Sequence, residues 1–343
     1  MGLCSSHIDV TRSLLCAASW QYGMGVWEWR VRGTLTAHAR SPRQWALAGA
    51  PAGLREVCLE GGDRVANADP TWHWQAYAAE FLGTFLLVLL GLSAVIFDFG
   101  PGSPVAAWLP DPFLRRLLTG FLFGSVGALL ALSPAGRISG AHLDPVLSWA
   151  FWSVGSLRLR DAVLYTAAQV AGAVLAALAL PPLWGAFGRA VLYGATVPAA
   201  TTGPWAAVLG EAIATFLLVG GILWFVGHPR LRAFTPALIP PLVAVLVAIE
   251  APYSGTSMNP ARTLGPAIPT HTLGVLWIYL LGPLLGALCA ALATARQGRV
   301  HVAKLAHHAH DPLGRFHGPA AGSVTVQLRR RVQGALGAVK RPR

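Results

Sequence analysis

Ser139-Gly140-Ala141-His142-Leu143-Asp144-Pro145 and Ser254-Gly255-Thr256-Ser257-Met258-Asn259-Pro260 are two versions of one device. Each follows a long apolar segment, opens on Ser-Gly, and closes on a small polar residue and proline. The Ser-Gly pair lets the chain turn sharply. Asp144-Pro145 and Asn259-Pro260 then read as helix starts, because the side chain can cap free backbone N–H groups and proline suits the first helical position. The runs that follow, Val146–Trp152 and Ala261–Ile268, are too short to span a bilayer and too apolar for water. Re-entrant half-helices fit both.

Working outward, six segments are long and apolar enough to cross a membrane: about 76–97, 113–133, 161–183, 205–227, 234–251 and 273–293. Composition agrees. The 343 residues are 54% hydrophobic and only 12% charged, with a mean hydropathy of +0.53, whereas a soluble domain carries about 25% charged residues. The net charge of +12 is a property of the end of the chain: residues 294–343 hold ten Lys and Arg against one Asp. No aromatic interleaving or folded motif accompanies that charge, so nucleic acid is not the expected partner. A cytoplasmic face beside anionic lipid is. With both termini inside, the inner loops hold Arg137, Arg158, Arg160, Arg230 and Arg232, and the outer loops hold Arg115, Arg116, Arg189 and Arg262. Usage rich in Ala, Gly, Arg and Pro points to a bacterial source and so to the plasma membrane.

The two halves repeat. Glu80-Phe81-Leu82-Gly83-Thr84-Phe85-Leu86-Leu87-Val88 matches Glu211-Ala212-Ile213-Ala214-Thr215-Phe216-Leu217-Leu218-Val219, and the Ser-Gly stretches are the second match. Gln169-Val170-Ala171-Gly172 against Tyr279-Leu280-Leu281-Gly282 is a weaker third. Each half, about 76–183 and 205–293, is three spans plus a half-helix. Three is odd, so the halves insert with opposite topology, and the functional site is expected near the midplane between them. Gly282-x-x-x-Gly286 permits close helix contact and is read as packing the two halves together.

Residues 1–75 show no sustained period and read as an extension, either disordered or upstream of the true start; residues 294–343 read as a flexible basic cytoplasmic tail. The four cysteines, Cys4, Cys16, Cys58 and Cys289, have no metal-ligand spacing. His307, His308 and His310 are read as part of a solvated tail rather than a metal set. No metal or cofactor is expected. His142 and Asp144 lie close together, but no nucleophile, metal set or phosphate loop accompanies them, so the chain does not read as an enzyme.

Arg262 lies three residues after Asn259, at membrane depth, where a lone arginine must face water or a partner. It can donate hydrogen bonds to permeant molecules and repel cations, as can the positive end of the half-helix. Asn-Pro-Ala-Arg after a Ser-Gly turn, with a half-sized copy upstream, resembles the signature loops of the major intrinsic proteins, the aquaporins and aquaglyceroporins. The resemblance covers roughly residues 77–293. It implies an all-α membrane protein of six tilted helices and two half-helices meeting at the pore centre, usually as a homotetramer with one pore per subunit. It further implies that Asp144, Pro145, Val146, Asn259, Pro260 and Ala261 form the central motifs. Glu80 and Glu211 match the family's buried glutamates, which with His142 support the re-entrant loops. The outer filter corresponds to Val247, Thr256 and Arg262, with either Phe123 or Gly124 from the second helix.

The departures bear on function. Asp144-Pro145-Val146 replaces the family's first Asn-Pro-Ala. Aspartate caps a helix as well as asparagine does, but an ionised carboxylate only accepts hydrogen bonds, whereas the amide also donates. Strict water channels usually carry histidine at the position of Val247, and glycerol channels an aspartate shortly after the second motif, where Thr263 and Leu264 stand. The expected function is a passive channel for water and small uncharged solutes such as glycerol. The alternatives are an inverted-repeat secondary transporter that uses Asp144 for proton coupling, or a non-conducting structural member of the same fold.

Overall fold

The computed structural model describes residues 27–31, 35–39, 72–295 and 303–307. The chain divides into two units, Met1–Thr71 and Trp72–Arg343. In the first, β1 (Trp27–Val31) pairs antiparallel with β2 (Leu35–Ala39), a hairpin that the sequence reading of residues 1–75 did not foresee.

The second unit is helical. Its elements are α1 (Trp74–Phe99), α2 (Pro104–Trp108), α3 (Pro112–Leu132), α4 (Pro134–Ser139), α5 (Pro145–Ser153), α6 (Leu159–Arg189), α7 (Pro204–Gly227), α8 (Thr235–Ser254), α9 (Pro260–Thr270) and α10 (Leu276–Ala295). Six of these, α1, α3, α6, α7, α8 and α10, are long and apolar enough to cross a membrane. α5 and α9 are the two short half-helices expected after the Ser-Gly turns. Proline stands at the start of α3, α5, α7 and α9, where its missing N–H costs nothing. Boundaries moved where local chemistry was missed. α1 starts at Trp74, just before the expected 76, and His73 and Tyr77 both bond Asp161, at 3.0 and 2.6 Å. α6 runs on to Arg189 across a kink at Gly185.

In lipid, apolar burial does not drive helices together, so close packing through small residues must. α1 packs on α6 and α7 on α10, each pair within one half, while α3 packs on α8 across the halves. A Cβ on Gly172 would collide with the backbone of Phe81, and one on Gly286 with the backbone of Ala212. Phe81 and Ala212 follow the two repeated glutamates, which corrects the third repeat match. Gly172 is equivalent to Gly286, and Tyr165, seven residues earlier, to Tyr279. The offset of four in the sequence alignment arose because Gly282 and Gly286 are one helical turn apart and present the same face. A Cβ on Gly282 would meet Glu211 Cβ at 2.6 Å and Val208 O at 2.8 Å. Gly282 and Gly286 therefore seat α10 on α7 inside the second half, rather than packing the two halves together as expected from sequence.

The tail also departs from expectation. Residues 303–306 are buried, and residues 303–307 bond to Leu132, Arg137 and His142 at the end of the body where α3 and α4 meet the first Ser-Gly loop. Carbonyls at the ends of α3 and α4 and in the loop before α5 lack helical partners, and this segment supplies donors to them.

Candidate functional site: a lumen between two half-helices

The loops before α5 and α9 are built alike. In the first, Gly140 (φ +97°) is followed by Ala141 and Leu143, both at +55°. In the second, Gly255 (+85°) is followed by Thr256 at +52° and Met258 at +53°. Left-handed backbone is costly for such residues, and buried glutamates hold it in place. Glu80 accepts from His142 N at 3.0 Å, Leu143 N at 2.7 Å and Gln169 Nε2 at 2.8 Å. Glu211 accepts from Ser257 N at 2.7 Å, Met258 N at 2.8 Å and Ser254 Oγ at 2.5 Å. Tyr165 Oη donates to Ser139 O at 2.7 Å and Tyr279 Oη to Ser254 O at 2.5 Å, pinning each turn from the last helix of its half. The glutamates were legible in the sequence. The tyrosines were missed, although their equal spacing to Gly172 and Gly286 carried the signal.

His142 stacks on Phe151 with ring centroids 4.6 Å apart and bonds Ser148 Oγ at 3.1 Å. It thus stiffens the first loop. Asp144 and Asn259 cap α5 and α9. The Asp144 carboxylate accepts from Val146 N at 3.0 Å, and Asn259 Oδ1 accepts from Ala261 N at 3.0 Å and Arg262 N at 3.2 Å. Asn259 Nδ2 donates to Leu143 O at 2.9 Å. That bond joins the two half-helix starts, so their positive ends meet. Pro145, Val146, Pro260 and Ala261 are buried behind the caps.

A cavity of about 360 Å³ runs past this junction. Its lining includes Phe99, Arg116, Thr119 and Gly194, the half-helix residues Leu143, Asp144, Asn259 and Arg262, and Gly127, Leu147 and Leu305. The lining is mixed: Leu87, Val219, Ile222, Val243 and Val247 are apolar, and His142, Asp144, Asn259 and Arg262 are polar.

The filter candidates Phe123, Gly124, Val247, Thr256 and Arg262 all border this cavity. Arg262 Nη1 donates to Gly194 O at 3.0 Å, and its guanidinium lies 5.8 Å from the Phe123 ring centroid. A Cβ on Gly124 would come within 2.8 Å of Pro240 Cα, so that position serves the contact of α3 with α8. Thr263 ties the second loop to the α6–α7 linker through Ser257 Oγ at 2.6 Å and Thr196 Oγ1 at 2.7 Å. Sequence reasoning missed Arg116, Thr119 and Leu305 on the lumen. Arg116 was assigned to an outer loop, Thr119 lay inside the second span without being singled out, and Leu305 fell in the tail.

Comparisons with known proteins agree with this geometry. The family model for the major intrinsic protein matches residues 68–294. The aquaporin AqpM of Methanothermobacter thermautotrophicus is 34% identical over 234 residues, which cover 62% of this chain and 93% of that protein. The glycerol uptake facilitator protein-like 6 of Lactiplantibacillus plantarum is 34% identical over 226 residues, covering 65% and 97%. Among solved structures, the aquaglyceroporin from Plasmodium falciparum superposes with a TM-score of 0.54 at 19% identity, covering 66% of this chain and 96% of that one. The chain, with its six spans, two abutting half-helices and shared lumen, belongs to the major intrinsic protein family.

Proposed function

We propose that the protein is a passive channel for water and small uncharged solutes such as glycerol, with permeation along the lumen between α5 and α9. The observation that carries this reading is the Asn259–Leu143 bond, which places two half-helix amino ends tip to tip on a lumen also bordered by Arg262. Two positive dipole ends and a guanidinium disfavour cations. A lumen lined by both apolar side chains and polar groups suits a small molecule that carries both a carbon skeleton and hydroxyls. The names of the relatives, an aquaporin and a glycerol uptake facilitator, support the same solutes.

In this reading Phe123, Val247, Thr256 and Arg262 form the outer filter, and Gly124 does not. Glu80, Glu211 and His142 support the loops. Residues 72–295 are the conducting body, as a homotetramer in the plasma membrane with both termini cytoplasmic. The orientation is supported by Arg137, Arg158, Arg160, Arg230 and Arg232 on the inner side and by the basic chain end.

Stopped-flow light scattering on proteoliposomes tests the proposal. Water and glycerol should equilibrate faster than in protein-free vesicles. Equal rates would leave the non-conducting reading. Asp144 on the lumen is the observation that favours a proton-coupled transporter. Solute flux that follows an imposed proton gradient, instead of ignoring it, would establish that alternative.

A further inference from the structure

The inner end of the lumen is bordered by a residue from outside the six-helix body. Leu305 is 3% exposed and lines the cavity with Ala141, His142, Asp144 and Leu147. Hydrogen bonds along the segment hold it in place. Leu305 N donates to Gly140 O at 3.1 Å. Ala303 O accepts from His142 Nε2 at 2.9 Å, which fixes the proton on that nitrogen, since a carbonyl cannot donate. Lys304 Nζ donates to Arg137 O at 2.8 Å, and His307 Nε2 to Leu132 O at 3.0 Å. Ala303, Leu305 and Ala306 join the apolar cluster that contains Leu143, Val146 and Leu147.

The inverted repeat shows why this place is open to such a segment. On the outer side, the α6–α7 linker covers the second loop: a Cβ on Gly255 would meet Thr196 Cα and Val197 N at 3.4 Å, and Arg262 bonds Gly194. The two halves are joined once, so the inner side has no equivalent linker. There, a Cβ on Gly140 would meet Ala303 O at 2.5 Å and Lys304 Cα at 3.1 Å. Residues 303–307 thus stand where the linker stands on the other face. The linker is fixed between two spanning helices, Leu159–Arg189 and Pro204–Gly227. Residues 303–307 follow the last span, which ends at Ala295, and no further span follows among the described residues.

We propose that Ala303–His307 is a strap that seats on the inner mouth and narrows it with the Leu305 side chain, so that full conduction requires the strap to lift. The inference rests on the channel reading. With the strap seated in most molecules, flux scales with the fraction unseated. It is tested in the full chain by water flux per reconstituted protein for the wild type, Leu305→Ala, Leu305→Trp, and a variant with Lys304, Leu305 and Ala306 all replaced by glycine. Leu305→Ala and the triple-glycine variant should raise flux by at least about twofold, and Leu305→Trp should lower it. The triple-glycine variant keeps the result decisive if the tryptophan variant fails to fold. A conducting wild type with both loosening variants at or below its rate would overturn the strap and leave the channel reading standing. All proteins at the level of protein-free vesicles would overturn both.

Discussion

At the scale of single residues, the protein spends charge where charge is dear. Glu80 and Glu211 sit fully buried in spanning helices, each accepting three hydrogen bonds from loop and neighbour donors. Hydrogen bonds to a charged group contribute about 1.5–3 kcal/mol each. Glutamine keeps the shape but turns an NH2 toward backbone N–H donors. Glu80→Gln and Glu211→Gln should therefore each cost about 2–4 kcal/mol, seen as earlier thermal unfolding in detergent. Unchanged melting would mean that the loops hold themselves. Asp144 differs in kind, because it borders the lumen as well as capping α5. Asp144→Asn keeps the cap, so the fold should persist. Removing a carboxylate from a narrow lumen alters its potential by more than about 1.4 kcal/mol per unit charge. Proton leak through Asp144→Asn, read with a pH dye in vesicles, should accordingly fall by about tenfold or more. If neither proton leak nor solute flux moves, Asp144 is a cap only.

At the scale of elements, the packing is backbone against backbone. α10 reaches α7 through Gly282 and Gly286, and α6 reaches α1 through Gly172. Any side chain at these places forces the helices apart, and in lipid no apolar burial compensates. Gly286→Val should destabilise the body by about 2 kcal/mol or more, read as lost monodispersity in size-exclusion chromatography. The same change at Gly274, where a Cβ would meet nothing within 4 Å, should be silent by that assay. The loop elements follow a different rule. Their left-handed residues persist because glutamate, tyrosine and serine partners from α1, α6, α7, α8 and α10 over-determine them.

At the scale of the whole molecule, two inverted halves enclose one lumen, and its chemistry follows from what each half delivers to the midplane. No cysteine borders that lumen among the described residues: Cys289 lies on α10 and is exposed. Mercuric ion should therefore leave water flux in reconstituted vesicles unchanged. Strong inhibition would mean that the conducting path runs elsewhere.

The sequence by itself determined the number of spans, the two re-entrant stubs, the repeat and the acids that serve it. These are local properties: an apolar run of a given length, a Ser-Gly turn, a proline cap, a motif that recurs in register. It did not show that Phe123 and Gly124 both border the lumen, nor that Gly120 and Gly124 seat α3 against Ala244 and Pro240 of α8. Nor did it align Tyr165 with Tyr279, since a helical turn of four residues presents the same face twice. The seating of residues 303–307 was least legible of all. A short polar-flanked segment has no period of its own, and its place is dictated by unpaired carbonyls that exist only once α3, α4 and the Gly140 loop have been brought together.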